Sequence, residues 1–202
     1  NTISDNNLSN NNIGIYFYES NNNKVEDNVI KDSTSLGIQI TNSTHISFWN
    51  NTIASSGTYD LNFLGNSTDN TGKNTTFSTI YVHADAYFAI YNDLSLTLVD
   101  TLDSGFEGAD VKVVNDENIL YSTSYYGGTD NKTDSNGTIT KDFTLIFEIY
   151  DGSSTPVVIP TNISARYLDW DETSSLEPSS SLKIIVPDFR VKNNRTGVLT
   201  YN

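Results

Sequence analysis

The sequence predicts an all-β chain in two successive parts, a short stack of about three strand coils followed by an antiparallel β-sandwich. Three observations carry this. Over roughly the first 70 residues, apolar side chains return at a spacing of about 22–23 residues. Beyond them, apolar residues alternate one by one in short runs divided by turn signals. No stretch keeps the period of an amphipathic helix.

The repeat is read by sliding the sequence on itself. Ile3, Val25 and Phe48 coincide, as do Leu8, Ile30 and Ile53, then Ile15, Ile38 and Leu61, then Phe17, Ile40 and Phe63. Gly14 and Gly37 coincide, but the third unit has Asp60 there, and its register is looser around Ser55 to Thr58. Such a unit is too short to enclose a core alone, whereas stacked units bury a continuous apolar column. Asn6, Asn28 and Asn51 share one position. Stacking sets them about 4.8 Å apart, the spacing of neighbouring strands. An amide both donates and accepts, so aligned Asn side chains bond along the stack as a ladder.

The stretches "DNNLSNNNIGIYF", "EDNVIKDSTSLGIQI" and "WNNTIASSGTYDLNF" resemble the right-handed parallel β-helix of the pectate-lyase and NosD-like type. The resemblance covers about residues 1–71 and implies the C-terminal end of a longer β-helix. An uncovered first coil would leave strand edges unpaired. Further coils ahead of Asn1, or another subunit, are the expected cover.

In the second part, "LSLTLVD", "VKVVND", "NILYSTSYY", "NGTITKDFTLIFEIY" and "SLKIIV" alternate. They are divided by "NDEN", "GGTDN", "SNG", "DGSSTP" and "NNRTG". This predicts an antiparallel sandwich over 72–190, with 191–202 as a tail or as an edge or exchanged strand. "VDTLDSGFEGADVKVV" followed by "TDSNGTIT" resembles carboxypeptidase-regulatory-like and related immunoglobulin-like modules. The likeness rests on Gly108-Ala109 and on the Thr133 to Gly137 hairpin, although "SGFEGA" lacks the usual proline. The two resemblances together imply an archaeal type of cell-surface protein.

Composition narrows the function. With 25 acidic against 11 scattered basic residues and a net charge of −14, nucleic acid and anionic membranes are disfavoured as partners. The absence of cysteine removes disulfides and thiolate chemistry. No run is long and apolar enough to span a bilayer. The first residue is Asn, which reads as a processed or excised chain.

Candidate chemistry is sparse. His45 and His83, the only histidines, lie beside no suggestive Ser or Asp, so a hydrolase triad is hard to build. Asp5 and Asp27 fall at equivalent positions of adjacent coils and could share a proton or a cation, with Lys24 and Lys31 near enough to neutralise them. No arginine precedes Arg166, so the usual cation of a lyase site is missing. "DNKTDSNGT" places Asp134 and Asn136 as in a calcium loop, but Lys132 stands where the first ligand belongs. Asp169 and Asp171 of "DWDE" form a second candidate calcium site. Trp49, Tyr125, Tyr126 and Trp170 are candidate sugar-stacking residues. Asn-x-Ser/Thr sequons stand at Asn7, Asn42, Asn50, Asn66, Asn74, Asn131, Asn136, Asn162 and Asn194 and fit a glycosylated exterior protein.

The expectation is an extracellular structural protein without catalytic residues or cofactor beyond structural calcium. Its partners would be itself, in a surface filament, sheath or layer, and surface glycans. The rival expectation is a glycan-binding module or a carbohydrate-active β-helix enzyme whose active coils lie upstream.

Overall fold

The computed structural model describes residues 1–99, 104–141 and 143–167, and the backbone alone of 170–176. Three similar coils come first. The first holds β1 (Thr2–Ser4), β2 (Asn7–Ser9) and β3 (Ile13–Tyr18). The second holds β4 (Lys24–Glu26), β5 (Val29–Lys31) and β6 (Leu36–Thr41). The third holds β7 (Ser47–Trp49), β8 (Thr52–Ala54) and β9 (Tyr59–Leu64). Equivalent strands pair in parallel with the register read from the repeat: Ile3–Val25–Phe48, Leu8–Ile30–Ile53, Ile15–Ile38–Leu61 and Phe17–Ile40–Phe63 are direct partners. This is a parallel β-helix. Inward residues of its three sheets form one core.

The corners explain the asparagine. Four residues per coil have positive φ: Asp5, Asn10, Glu19 and Asn22, then Asp27, Asp32, Asn42 and His45, then Asn50, Ser55, Gly65 and Asp69. Asn, Asp and Gly tolerate this left-handed conformation best. Just inside one corner runs the Asn ladder. Asn6 Nδ2 donates to Asn28 Oδ1 at 3.0 Å and Asn28 Nδ2 to Asn51 Oδ1 at 3.1 Å. The Asn51 amide also donates to the carbonyls of Val25 and Trp49, at 2.8 and 3.0 Å. Asn28 and Asn51 are buried, and the ladder satisfies backbone groups that water cannot reach.

The stack does not stop at three coils. β10 (Asn70–Lys73) pairs with β7, β11 (Ile80–Val82) pairs with β9, and β12 (Tyr87–Leu94) pairs with β10, all in parallel. About four turns result, and residue 71, the expected end, lies within β10. The fourth turn is masked in sequence because Gly72 stands at the position of Phe48. A Cβ there would lie 2.7 Å from the Phe88 ring, which fills the space instead. Asp60, the exception in the Gly14–Gly37 column, is buried, and its carboxylate accepts the N–H groups of Ser56, Ser78 and Thr79 at 3.2, 2.8 and 3.3 Å. It ties the third coil to the segment entering the fourth.

Two compact units divide the chain: residues 1–92 with 146–158, and 93–145 with 159–202. The remaining strands are β13 (Asp110–Asn115), β14 (Asn118–Ser122), β15 (Phe143–Asp151), β16 (Val157–Val158), β17 (Thr161–Tyr167) and β18 (Trp170–Leu176). The division corrects the expected 72–190 sandwich, because 72–92 and 146–158 belong with the coils. The cause is Tyr150 on β15, which packs with the coil core: its ring lies 6.2 Å from Phe88 and 6.5 Å from Phe77. The second unit contains one complete antiparallel sheet, in the order β14-β13-β17-β18. Its core gathers Leu94, Leu96, Leu98, Val111, Val113 and Ile163. Opposing segments are joined by the isolated bridges Thr97–Thr138 and Val99–Gly105. The expected two-sheet sandwich is thus represented by one full sheet among the described residues, and the 191–202 tail lies outside them.

Replacing Asn51 by Ala leaves the Asn28 N–H without its acceptor and takes the side-chain donor from the Val25 and Trp49 carbonyls, of which Trp49 keeps the Asp27 N–H at 3.0 Å. Urea unfolding is expected to show a loss of about 2–4 kcal/mol, against under about 1 kcal/mol for exposed Asn6→Ala. At the left-handed corner His45, His45→Gly is expected to be tolerated and His45→Val to cost about 1–2 kcal/mol, read by the same unfolding curves.

Candidate functional site

Among the described residues no cleft lined with chemistry stands out, and the two ends of the coil stack differ. At the far end, Phe63 stacks on Phe88 at 4.8 Å, and Phe77 and Tyr150 lie beyond. The Gly152 N–H donates to the Ala86 carbonyl at 2.9 Å and the Val82 N–H to Ser154 Oγ at 3.1 Å. Residues 146–158 therefore close that end. Burial raises the Tyr150 phenol well above its ordinary pKa, and the Glu148 carboxylate, which accepts its hydroxyl at 3.0 Å, adds to this. Tyr150 is a neutral donor and a packing residue. At the near end, β1, β2 and β3 are the outermost strands of their sheets. Ile3, Leu8 and Ile13 there are only half-buried, while their counterparts in the next coil are buried.

The sequence candidates fall as follows. Asp5 and Asp27 are left-handed corner residues, and Asp27 Oδ1 accepts Asn50 Nδ2 at 3.1 Å. Lys24 does not neutralise them. It pairs with Glu26 and lies 4.3 Å over the Trp49 ring. One face of half-exposed Trp49 is thus already covered by an ammonium. Tyr125 has the Arg166 guanidinium 3.9 Å over its ring and Tyr126 edge-on at 4.9 Å. Trp170 is placed by backbone only, opposite Tyr167.

Asp134 Oδ1 accepts the N–H groups of Asn136 and Thr138, each at 2.9 Å, and Gly137 follows at φ 74°. These residues build a hairpin turn, and one carboxylate oxygen is engaged by it. Lys132 donates to Asp110 Oδ2 at 2.8 Å. Asp169 lies outside the described residues, and the backbone of Asp171 lies opposite Arg166. Among the sequons, Asn7, Asn66, Asn131, Asn136 and Asn162 are exposed on strands and loops. Asn42, Asn50 and Asn74 are corner residues, and the amide nitrogens of Asn50 and Asn74 are engaged by Asp27 and Asn50. Asn194 lies outside the described residues.

The sequence reading missed the Asp110–Lys132 pair and the return of 146–158 to the coils. Neither has a local signal. Lys132 is 22 residues from Asp110, and Tyr150 ends a strand that alternates like its neighbours. An open Tyr pair was also passed over: Tyr16 and Tyr18, both more than half exposed on β3, have ring centres 6.2 Å apart. Gln39 and Thr41 are their strand partners on β6.

With a parallel β-helix and an antiparallel unit established, comparison with known proteins adds one family. Residues 1–92 match the family described as periplasmic copper-binding protein (NosD), just under half of the chain. No curated protein and no solved structure matches. The match ends where the first unit's leading segment ends, at residue 92.

Copper in that description can be tested against the residues present. Copper sites draw on His, Cys and Met. This chain has no Cys or Met and two His. His45 Nδ1 lies 3.0 Å from Thr44 Oγ1 at a corner, and His83 Nδ1 lies 3.4 Å from Asp85. Among the described residues no three His, Cys, Asp or Glu come together. The residues do not fit a copper centre. Among the described residues no helix is long and apolar enough to cross a membrane.

The ion pair in the second unit gives a pH test. Burial pushes the Asp110 carboxyl up, but the hydrogen bond and charge of Lys132 bring it below its ordinary pKa. A folded pKa below the unfolded one contributes stability above the unfolded value, about 4, and loses it as pH falls through the folded value. Lys132→Ala is therefore expected to cost about 1–3 kcal/mol near pH 7, and the gap to the parent should close as pH falls below about 4. Thermal unfolding between pH 2 and 8 reads both.

Proposed function

We propose that the protein is a structural component of the cell exterior that acts by strand-edge association, and that it is not an enzyme. The observation supporting this is a pair of sheet edges that carry exposed apolar side chains, β14 with Ile119 and β16 with Val157 and Val158. Edges of this kind are association sites unless something covers them. The family match supports an exterior location, since the family is described as periplasmic. Charge acts in the same direction, because the excess of acid favours solubility over capture of anionic partners.

Assembly into a filament, sheath or surface layer is the extended form of this reading. A filament needs two contacts on each copy, and the edge strands β14 and β16 offer them, with exposed Ile119 on one and Val157 and Val158 on the other. Lys141 Nζ occupies the Leu120 carbonyl on β14, which blunts that edge.

Light scattering across a concentration series, with electron microscopy of the same samples, tests the proposal. Reversible association is expected, abolished by Val157→Lys with Val158→Lys, with circular dichroism confirming that the variant is folded. A chain that stays monomeric throughout overturns self-association as the function. Monomers that bind an insoluble polysaccharide, and lose it on Tyr16→Ala with Tyr18→Ala, would support the glycan-binding alternative on the exposed β3 face.

A further inference from the structure

Two columns of side chains face outward on the sheet of β11, β9, β6 and β3. In the first, Tyr16, Gln39, Asn62 and Tyr81 are direct register partners, one from each strand. In the second, Tyr18, Thr41 and Leu64 are partners in the same way. The residues between them along the strands, Phe17, Ile40 and Phe63, lie in the coil core. Strand alternation therefore turns the two columns outward, whatever lies at the edges of the sheet. None of these seven positions is Asp, Glu, Lys or Arg, in a chain with a net charge of −14. Asp60, two residues before Asn62, is buried and engaged by Ser56, Ser78 and Thr79.

The first column has an order, with a phenol on each outer strand and an amide on each inner one. The Tyr81 ring is set by the Tyr59 ring, 5.6 Å away. Gln39 Nε2 donates to Thr41 Oγ1 at 3.2 Å, which orients that amide and keeps its oxygen available. Asn62 differs from every other amide in the coils described above. It is only 7% exposed, yet its side chain has no hydrogen-bond partner among the described residues. A nearly buried amide left in this state is unfavourable unless a group from outside the chain meets it.

The chemistry that fits is a sugar. Tyrosine rings offer an apolar face with a polar tip, and an amide both donates to and accepts from hydroxyls. An acidic sugar would bring carboxylates to a face without a cation, where they go unpaired. From Tyr16 to Tyr81 the column spans about 14 Å at the strand spacing, which suits a short run of sugar rings.

We propose that this outward face is a platform for a neutral polysaccharide lying across the strands, with Asn62 and Gln39 bonding its hydroxyls and Tyr16 and Tyr81 stacking on it. A sheet face and a sheet edge are different surfaces, so the platform stands beside edge association. It extends the glycan-binding alternative from β3 to all four strands and names the class of glycan.

The test is calorimetric titration of the full chain with cellohexaose, mannohexaose, maltohexaose and chitohexaose as neutral probes and hexagalacturonate as the acidic one. At least one neutral hexamer is expected to bind, and hexagalacturonate to bind at least about tenfold more weakly. Asn62→Leu is expected to weaken binding about tenfold while the thermal midpoint stays level or rises, because the variant removes an unpartnered amide. A merely structural Asn62 would do the opposite, lowering the midpoint and leaving binding intact, and that result overturns the proposal. So does the absence of binding by every neutral hexamer at millimolar concentration, or equal binding of hexagalacturonate. Light scattering supplies the last outcome: if the parent associates and Asn62→Leu abolishes this, the occupant is a second copy and the proposal is wrong. The titration is repeated on the Val157→Lys, Val158→Lys chain. Binding retained there leaves the platform standing whether or not edge association survives.

Discussion

The coils depend on one backbone constraint, the need to turn four corners in every 22–23 residues without stranding buried amides. Each corner takes one residue into left-handed space, and in unit 1 the residues with positive φ include Asp5, Asn22, Asp27, Asn42, Asn50 and Asn74. A β-branched side chain pays about 1–2 kcal/mol there, so the corners select Asn, Asp and Gly before any packing is considered. The same corners point peptide groups inward, where only a side chain of the next coil can meet them. Asn51 shows the cost of omitting one: the buried Asn28 N–H would lose its acceptor, and the Val25 and Trp49 carbonyls a donor each.

Closure of the far end follows from the other requirement of a stacked core, that its last layer be covered. The parallel column would otherwise expose Phe63 and Phe88. Gly72 clears space for the Phe88 ring, Phe77 packs beside it, and Tyr150 arrives from β15 to finish the layer. Terminal repeats that differ from internal ones are what a one-dimensional stack requires. Here the atypical terminal layer comes partly from chain almost 60 residues beyond the last coil strand, which places residues 146–158 with the first unit.

The coil register was legible because two signals coincide at each position. Ile3, Val25 and Phe48 must face inward, and Asn6, Asn28 and Asn51 must meet one another, so a one-residue slip would break both. The fourth turn was not legible, because Gly72 removes the apolar marker, and the third coil departs from the repeat where Asp60 replaces the expected glycine. Each exception has its reason in a neighbour, Phe88 for one and Ser78 for the other, and neighbours across turns leave no local trace. The second unit was legible as strands and turns but not as pairs. Alternation identifies β13, β15 and β17 equally, and nothing in it says that the end of β15 belongs to the coils. Candidate sites fared worse still, since Lys24, read as a counter-ion for Asp5 and Asp27, answers to Glu26 and Trp49.

The acidity of the first unit has the same geometric origin as its asparagine. Asp5, Glu19, Asp27, Asp32 and Asp69 all occupy left-handed corners. Asp shares with Asn a short side chain that tolerates this conformation and bonds locally, whereas Lys and Arg gain nothing there. Negative charge therefore accumulates along the corners as coils are added, with no ligand needed to account for it. In a chain of this kind an acidic balance follows from coil geometry, and a functional cation site would have to show itself by something a corner does not require. Asp27, bonded to Asn50 in its column, behaves as the corner requires.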